Sequence, residues 1–252
     1  MKVAAIQHDI VWEDRGANLK RYPDLIRAAA ASGARLIVMA EMFSSGFSMN
    51  TAVVAEEPDG PSATMLLGMA AEVDAWLCAS IPMVHAGEDR PHNTLCLVSP
   101  SGDTYQYRKI HPFTYSTEPE HYEAGTDFLT VDVDGLRVST FVCYDLRFAD
   151  EFWALAATTD LFVVPANWPA KRRLHWQTLL KARAIENQAY VIGVNRVGDG
   201  GGLSYSGDSA IIDPLGETLA QGAMSEALLV ADVNAEMVAS VRQQFPFSAD
   251  RR

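Results

Sequence analysis

A cysteine, a lysine and a glutamate each stand where an apolar run of this sequence ends. Cys143 follows LRVSTFV, Glu41 follows LIVMA, and Lys109 lies in QYRKIH. A thiol becomes a nucleophile when it loses its proton, a carboxylate can accept that proton, and an ammonium can stabilise an oxyanion. Because each residue ends a buried run, we expect all three to project from a sheet rim into one pocket. They predict acyl transfer without a histidine.

Helices must alternate with strands to carry these residues. Apolar runs and alternating patterns predict strands at KVAAIQ, LIVM, WLCASIPM, NTLCLVSP, TYQYRKI, DFLTVDV, LRVSTFV, LFVVPAN, YVIGVNRV, the hairpin SYSGDSAIIDPLGETLAQ, and ALLVADV. Helix formers and breakers predict helices over 15–32, 61–74, 172–189 and about 234–243, with a short one through EFWALAA. No linker or repeat interrupts this order, so residues 1–252 are predicted to form one domain. Its buried strands need cover on both faces, and a four-layer α-β-β-α sandwich of the α/β class provides it.

Composition excludes several kinds of partner. The chain has 252 residues, 48% of them hydrophobic, and a formal net charge of −12. Such acidity disfavours nucleic acid and anionic membrane surfaces, and no apolar stretch approaches the ~20 residues of a membrane span. The N-terminal apolar run is too short for a signal peptide. Three widely spaced cysteines form no disulfide framework, so we expect a reduced, cytoplasmic protein.

Two histidines near the lysine suggest a metal site but do not make one. His92 and His111 could be combined with Cys96 as ligands. Their spacing matches no common zinc pattern, so structural roles are predicted, with His111 ordering the loop around Lys109. No metal is therefore expected.

The ordered set of Glu41 in MAEMF, Lys109 in YRKIH and Cys143 in VCYDLRF resembles the nitrilase superfamily of carbon-nitrogen hydrolases. The resemblance runs from VAAIQ to the final strand. It implies the α-β-β-α sandwich, no metal and no organic cofactor. It also implies a homodimer or higher homo-oligomer that pairs through the helix around 147–158.

A fourth position of this superfamily is a glutamate between the lysine and the cysteine. The segment HPFTYSTEPEHYEAG offers Glu118, Glu120 and Glu123. Glu118, with Gly125 after it, fits the superfamily spacing best. The alternative is that Glu118 is a solvated loop acid.

Within the superfamily, the sequence is most similar to the omega-amidases. The stretches that carry this likeness are EMFSSGFSM, ANWPAKRRLHW, ARAIENQAYVIGVNRVG and YSGDSAIIDPLGE. The likeness implies hydrolysis of the terminal amide of a short 2-oxo dicarboxylic acid monoamide, such as 2-oxoglutaramate, with release of ammonia. Three alternatives stay open: an N-carbamoyl amidase, an amidase acting on deaminated glutathione, and a non-catalytic scaffold with the same fold.

The resemblance assigns a role to each residue of the set. Glu41 is expected to take the proton of the Cys143 thiol, which attacks the amide carbon. Lys109 and the backbone N–H of Tyr144 are expected to hold the oxyanion. Glu41 then passes its proton to departing ammonia and activates water against a thioester on Cys143. Glu118 is expected to orient the amide nitrogen or the water.

A carboxylate at the far end of the substrate needs a cation, and the fork of an arginine suits it. PAKRRLHW offers Arg172 and Arg173, and the family-like pattern W-P-x-x-R falls on Trp168 and Arg172. Arg172 is therefore predicted to bind the carboxylate; the alternative is a first helical turn that faces solvent.

Three further side chains near these motifs receive predicted roles. Phe43 and Trp168 are predicted to form apolar walls of the pocket. Arg147 either pairs locally with Asp145 to hold the turn after the cysteine or contacts the substrate carboxylate itself.

Overall fold

The computed structural model describes residues 1–250, which form two mixed β-sheets with helices outside them. The strands are β1 (Lys2–Gln7), β2 (Leu36–Val38), β3 (Trp76–Met83), β4 (His92–Val98), β5 (Thr104–Arg108), β6 (Thr130–Val133), β7 (Leu136–Thr140), β8 (Leu161–Ala166), β9 (Tyr190–Asn195), β10 (Val197–Gly200), β11 (Leu203–Ile212), β12 (Thr218–Ala223) and β13 (Ala227–Asp232). The α-helices are α1 (Arg15–Ala31), α2 (Thr51–Val54), α3 (Pro61–Val73), α4 (Glu118–His121), α5 (Ala149–Leu155), α6 (Arg173–Asn187) and α7 (Ala235–Gln244). The single-turn helices α2 and α4 are too short to show a helical period and were not predicted.

The two sheets have the same arrangement of parallel and antiparallel strands. The first has the order β13-β1-β2-β3-β4-β5 and the second β10-β11-β9-β8-β7-β6, with β12 also pairing with β11. In each sheet three neighbouring strands run parallel, β1-β2-β3 and β7-β8-β9, and antiparallel strands flank them. Parallel strands of this kind need cover on both faces.

The alternation of side chains along each strand builds the layers. In β1, Val3 and Ala5 join the core that contains residues of both sheets, whereas Ala4 and Ile6 join a second core with α1 and α3. On the other side of the molecule α6 packs on β9 and β11. A Cβ at Gly193 of β9 would lie 2.4 Å from a methyl carbon of Leu180, so only glycine lets α6 approach this closely. The predicted α-β-β-α sandwich is confirmed.

Local sequence fixes where the helices begin and end. The Asp14 side chain accepts a hydrogen bond from the Ala17 N–H and caps α1, which ends before Gly33 at φ +89°. Pro61 opens α3, where a missing N–H costs no hydrogen bond. No helix among residues 1–250 combines the length and apolarity needed to cross a membrane.

One rim of the sandwich collects the reactive residues. Strand β2 runs parallel to β1 and β3, strands β7, β8 and β9 run parallel to one another, and β5 runs parallel to β3 because β4 is antiparallel to both. The chain leaves the carboxyl end of β2 toward Glu41, of β5 toward Lys109, of β7 toward Cys143, and of β8 toward Asn167. The fold thus delivers residues from both sheets to one place.

Candidate active site

An ammonium lies between two buried carboxylates at this rim. Lys109 Nζ is 3.1 Å from Glu41 Oε1 and 2.9 Å from Glu118 Oε2. All three side chains are at most 1% exposed. Burying charges is unfavourable unless they are paired and hydrogen-bonded, and here each charge has an opposite neighbour. Glu41 and Lys109 follow the ends of strands, as the sequence indicated, whereas Glu118 is the first residue of the single-turn helix α4.

Two asparagines fix the Glu41 carboxylate. Asn93 Nδ2 donates to Glu41 Oε1 at 2.7 Å, and the backbone N–H of Asn167 donates to Oε2 at 2.8 Å. The Asn167 side chain in turn donates to the backbone carbonyl of Glu41 at 2.5 Å. Glu41 is therefore held in one orientation from both sheets, because Asn93 belongs to the first and Asn167 follows a strand of the second.

Cys143 begins a 3₁₀ helix (Cys143–Arg147) three residues after the end of β7, with φ +48°. A non-glycine residue in this left-handed region is strained and recurs at functional sites. Burial raises the pKa of the Cys143 thiol well above its ordinary value, and the charge and hydrogen bond of Glu41 raise it further. The Lys109 charge and the Asn167 N–H act in the opposite direction. The thiol is thus protonated at neutral pH and lies beside a carboxylate able to take its proton.

Burial and neighbouring charges act in opposite directions on the pKa values of Lys109 and Glu118. Burial lowers the pKa of Lys109, but the charges of Glu118 and Glu41 outweigh burial and raise it above its ordinary value. Burial raises the pKa of Glu118, while the Lys109 charge opposes that rise. Lys109 therefore stays an ammonium across the neutral range.

The loop that carries Glu118 closes directly onto the end of β5. The Gly125 N–H donates to the Lys109 carbonyl at 2.9 Å, and a Cβ at Gly125 would lie 2.2 Å from the Arg108 carbonyl oxygen. Of the other acids considered in this loop, Glu120 is exposed and Glu123 pairs with Arg90. The structure brings Glu118 alone of the three to Lys109.

A cavity of about 550 Å³ opens in front of Cys143. Its lining includes the aromatic residues Trp12, Phe47, Phe113, Tyr115, Tyr144, Trp168 and Tyr205. Tyr144 follows Cys143 in the first turn of the 3₁₀ helix, where backbone N–H groups have no partner within the helix. Tyr144 and Trp168, both predicted to belong to the site, line the cavity.

Two arginines face the same cavity. The Arg147 guanidinium lies 4.7 Å from the centre of the Trp168 ring, and that of Arg172 lies 5.3 Å from the Phe113 ring. Within residues 1–250 neither pairs with a carboxylate. Burial and the nearby charge of Arg172 lower the pKa of Arg147, which indicates two neighbouring, uncompensated cations. Arg173 instead pairs with Asp208 at 2.6 Å.

The structure contradicts one prediction for this region and one of the two alternatives left open for Arg147. Phe43 does not line the cavity: Met42 at φ +44° turns the chain, and Phe43 packs fully buried against Tyr22 in the core under α1. Asp145 does not pair with Arg147, because its carboxylate is occupied by Tyr107 and His111, while Arg147 lies over an aromatic ring.

Sequence reasoning missed several residues that shape the site. Phe47 lines the cavity with its ring 5.0 Å from Lys109 Nζ, four residues beyond the phenylalanine that was predicted. Asn93 and Asn167 hold Glu41. The signal for both asparagines was their place at the edge of an apolar run, at the start of NTLCLVSP and the end of LFVVPAN.

The chain is similar to known proteins over nearly its whole length. The family profile "Carbon-nitrogen hydrolase" matches residues 2–243. The chain is 40% identical to the protein named omega-amidase YafV of Yersinia enterocolitica, over 98% of this chain and 94% of that one. It is 30% identical to 2-oxoglutaramate amidase of Bacillus subtilis, over 99% and 97%.

A solved structure extends the likeness to the fold. XC1258 from Xanthomonas campestris, a CN-hydrolase superfamily protein with an arsenic adduct in its active site, superposes with a TM-score of 0.94 at 34% identity. The superposition covers 100% of this chain and 97% of that one. The resemblance inferred from the sequence is confirmed, and the chain belongs to the carbon-nitrogen hydrolase family.

Proposed function

We propose that this protein is an omega-amidase, which hydrolyses the terminal amide of short 2-oxo dicarboxylic acid monoamides such as 2-oxoglutaramate and releases ammonia. One observation carries the proposal. Cys143, Arg147 and Arg172 line one cavity, Glu41 and Lys109 lie next to Cys143, and neither arginine has a carboxylate partner within residues 1–250. A substrate with an amide for Cys143 and a carboxylate for the arginines belongs to this class.

The first half-reaction transfers an acyl group to the thiol. Glu41 takes the proton of Cys143, and the sulfur forms a bond to the amide carbon. The carbonyl electrons move to oxygen, where Lys109 and the Tyr144 N–H stabilise the negative charge; one such donor typically contributes about 3 to 4 kcal/mol. The carbon–nitrogen bond then breaks, nitrogen takes the proton from Glu41, and ammonia leaves a thioester on Cys143.

The second half-reaction returns the enzyme to its start. Glu41 takes a proton from water, and the hydroxide attacks the thioester carbon. The carbon–sulfur bond breaks, the carboxylic acid is released, and the sulfur regains a proton from Glu41. Glu118, hydrogen-bonded to Lys109, keeps the ammonium in place and orients the leaving nitrogen or the attacking water. Amide and water are thereby converted to acid and ammonia without a metal or an organic cofactor.

The named relatives support the substrate class. The proteins called omega-amidase and 2-oxoglutaramate amidase align over nearly the whole chain. Nothing in the site favours an N-carbamoyl amidase or an amidase for deaminated glutathione, and the complete set of Glu41, Lys109 and Cys143 speaks against a non-catalytic scaffold.

The proposal is tested by the release of ammonia from a panel of amides. Native protein and Cys143→Ala are incubated with 2-oxoglutaramate, 2-oxosuccinamate, glutamine, asparagine and an N-carbamoyl amine. We expect ammonia from the two oxo-acid amides alone, and none from the variant. Ammonia from the N-carbamoyl amine but not from the oxo-acid amides would contradict the proposed substrate.

We further propose that residues 1–252 act as one catalytic unit and that the enzyme works in the cytoplasm.

We also propose that two copies of the chain form a homodimer through the segment around residues 147–158. Trp153 of α5 lies in this segment and is 47% exposed in the single chain, as expected for a side chain that a second copy covers. Light scattering should give a dimer for the native protein and a monomer for Trp153→Glu. A monomeric native protein would contradict the proposed pairing.

A further inference from the structure

Asp145 is a fully buried carboxylate that takes no part in the reaction described above. Its exposed fraction is zero, and it lies two residues after the nucleophile. A buried carboxylate is unfavourable unless hydrogen bonds satisfy it. Within residues 1–250 it has no lysine or arginine partner at ion-pair distance, so its partners must be found among hydroxyl, imidazole and backbone donors.

Its two oxygens bind the segment on either side of Lys109. Oδ2 accepts the Tyr107 hydroxyl at 2.8 Å, and Oδ1 accepts the backbone N–H and Nδ1 of His111 at 2.9 and 3.0 Å. The same Tyr107 hydroxyl accepts the Ile110 N–H at 3.3 Å. Asp145 therefore holds residues 107 and 111, and Lys109 lies midway between them.

The same carboxylate also holds the turn that presents Cys143. Oδ2 accepts the Val142 N–H at 2.9 Å, while the Asp145 N–H donates to the Val142 carbonyl at 3.0 Å. These two bonds close a ring around Cys143, which is the residue with the strained left-handed backbone. Strain at such a position persists only where the surroundings enforce it.

We propose that Asp145 is a positioning residue that sets the placement of Lys109 relative to the Cys143 sulfur. Lys109 comes from the end of β5 in the first sheet, and Cys143 follows β7 in the second. One side chain thus ties together the two elements that supply the oxyanion-binding cation and the nucleophile. The inference builds on the roles of Lys109 and Cys143 under the proposed function.

Asp145→Asn tests the proposal, because it keeps the shape but replaces one acceptor oxygen by a donor amide. That amide must then face donors at Tyr107 and Val142 or at His111. Displacements of about 1 Å commonly cost about 100-fold in rate. We expect kcat to fall about 30-fold while KM stays within twofold.

The pH profile of thiol alkylation gives a readout that a merely structural role does not produce. The charged and titratable groups that act on Cys143 are Glu41 and Lys109, with Arg147 and Tyr205 also within reach. The measurement is the rate at which iodoacetamide alkylates Cys143 as a function of pH. If Asp145→Asn removed only a negative charge, this profile would move to lower pH. Displacement of Lys109 moves it to higher pH, since the ammonium lowers the thiol pKa.

A double variant and milder single variants complete the test. Lys109→Met should shift the profile to higher pH, and adding Asp145→Asn should shift it no further. Tyr107→Phe and His111→Gln each remove one bond on the lysine side and should lower kcat about threefold to fivefold, and combining them should approach the effect of Asp145→Asn. These variants keep the test decisive if Asp145→Asn does not fold.

Asp160→Asn is the matched control. Asp160 is a buried carboxylate paired with Arg137 at the opposite end of β8, so its loss should lower the melting temperature but leave kcat unchanged. The proposal is overturned if Asp145→Asn keeps kcat within twofold, or if the pH profile of Cys143 alkylation in this variant does not move to higher pH. It is also overturned if the shifts caused by Lys109→Met and Asp145→Asn add in the double variant. Alkylation needs no substrate, so these outcomes are distinct from a failure of the amidase assay.

Discussion

Charged residues are arranged in opposite ways in the two parts of the site, which we call the reacting side and the recognition side. On the reacting side, Lys109, Glu41 and Glu118 are buried and already bonded to one another and to fixed donors. On the recognition side, Arg147 and Arg172 rest on aromatic rings and have no carboxylate partner within residues 1–250. Under the proposed function, the first set is complete before substrate arrives, and the second is completed by the substrate carboxylate.

This difference separates catalysis from binding. Preorganised groups that act on charge formed in the transition state lower the barrier, and their loss lowers kcat. A cation that meets the substrate carboxylate equally in the ground state and the transition state changes KM. Substitutions on the two sides should therefore give different kinetic signatures.

The largest effect is expected at the nucleophile. Cys143→Ala leaves Glu41 and Lys109 in place but removes the atom that forms the thioester, so turnover should fall by roughly 10⁴-fold or more. Mass spectrometry of the quenched native enzyme with 2-oxoglutaramate should show an acyl adduct on Cys143 that the variant lacks. An adduct on another residue would contradict the assignment of the nucleophile.

Glu41→Gln should separate the proton-accepting role of Glu41 from its electrostatic one. Without a general base kcat should fall about 10³-fold. The Glu41 charge raises the pKa of Cys143, so its removal lowers that pKa, and alkylation of the thiol at pH 7 should become roughly 3- to 10-fold faster. A variant that keeps near-normal turnover would contradict the base assignment, and slower alkylation would contradict the electrostatic one.

On the recognition side, Arg172→Ala should raise KM rather than lower kcat. Loss of a charge-assisted hydrogen bond to the substrate carboxylate should raise KM for 2-oxoglutaramate about 10- to 100-fold. Butyramide, an amide without a carboxylate, should be unaffected.

The neighbouring arginine provides the matched control for this experiment. Arg173 is bound to Asp208, so Arg173→Ala should leave KM for both amides unchanged. If Arg172→Ala leaves KM for 2-oxoglutaramate unchanged, the carboxylate is bound elsewhere, and the same measurement on Arg147→Ala would identify the other cation.

The reacting side was more predictable from the sequence than the recognition side, for a physical reason. Glu41, Lys109 and Cys143 follow apolar strands, and the ends of parallel strands meet at a common rim, so their convergence follows from periodicity and topology. The segment that carries Glu118 has no such period. Glu118 was chosen among three glutamates only through the family resemblance and the position of Gly125. The structure shows why a glycine is needed there, because the backbone at Gly125 lies close to the Arg108 carbonyl.

Backbone turns with positive φ could not be predicted from the sequence, and they decide where neighbouring side chains point. Met42, Thr117 and Cys143 all have positive φ without being glycine, and each adjoins or is a residue of the reacting group. Nothing in the residue types marks these turns. One of them, at Met42, reverses the direction of the following side chain and places Phe43 in the core instead of the cavity, while Phe47 takes the place at the cavity.

The smallest expected effects lie in this pair of phenylalanines, and they test whether the boundary between core and cavity is correctly drawn. Phe47→Leu removes a ring 5.0 Å from Lys109 Nζ, and because cation–π contacts contribute about 0.5 to 2 kcal/mol, kcat/KM should fall about 3- to 10-fold. Phe43→Leu should leave kcat/KM unchanged and lower the melting temperature by about 2 to 4 °C, since the ring packs only on core residues such as Tyr22. Steady-state kinetics and thermal denaturation of both variants decide the matter. The opposite pattern, in which Phe43→Leu changes the kinetics and Phe47→Leu changes only the stability, would return Phe43 to the substrate wall that the sequence predicted.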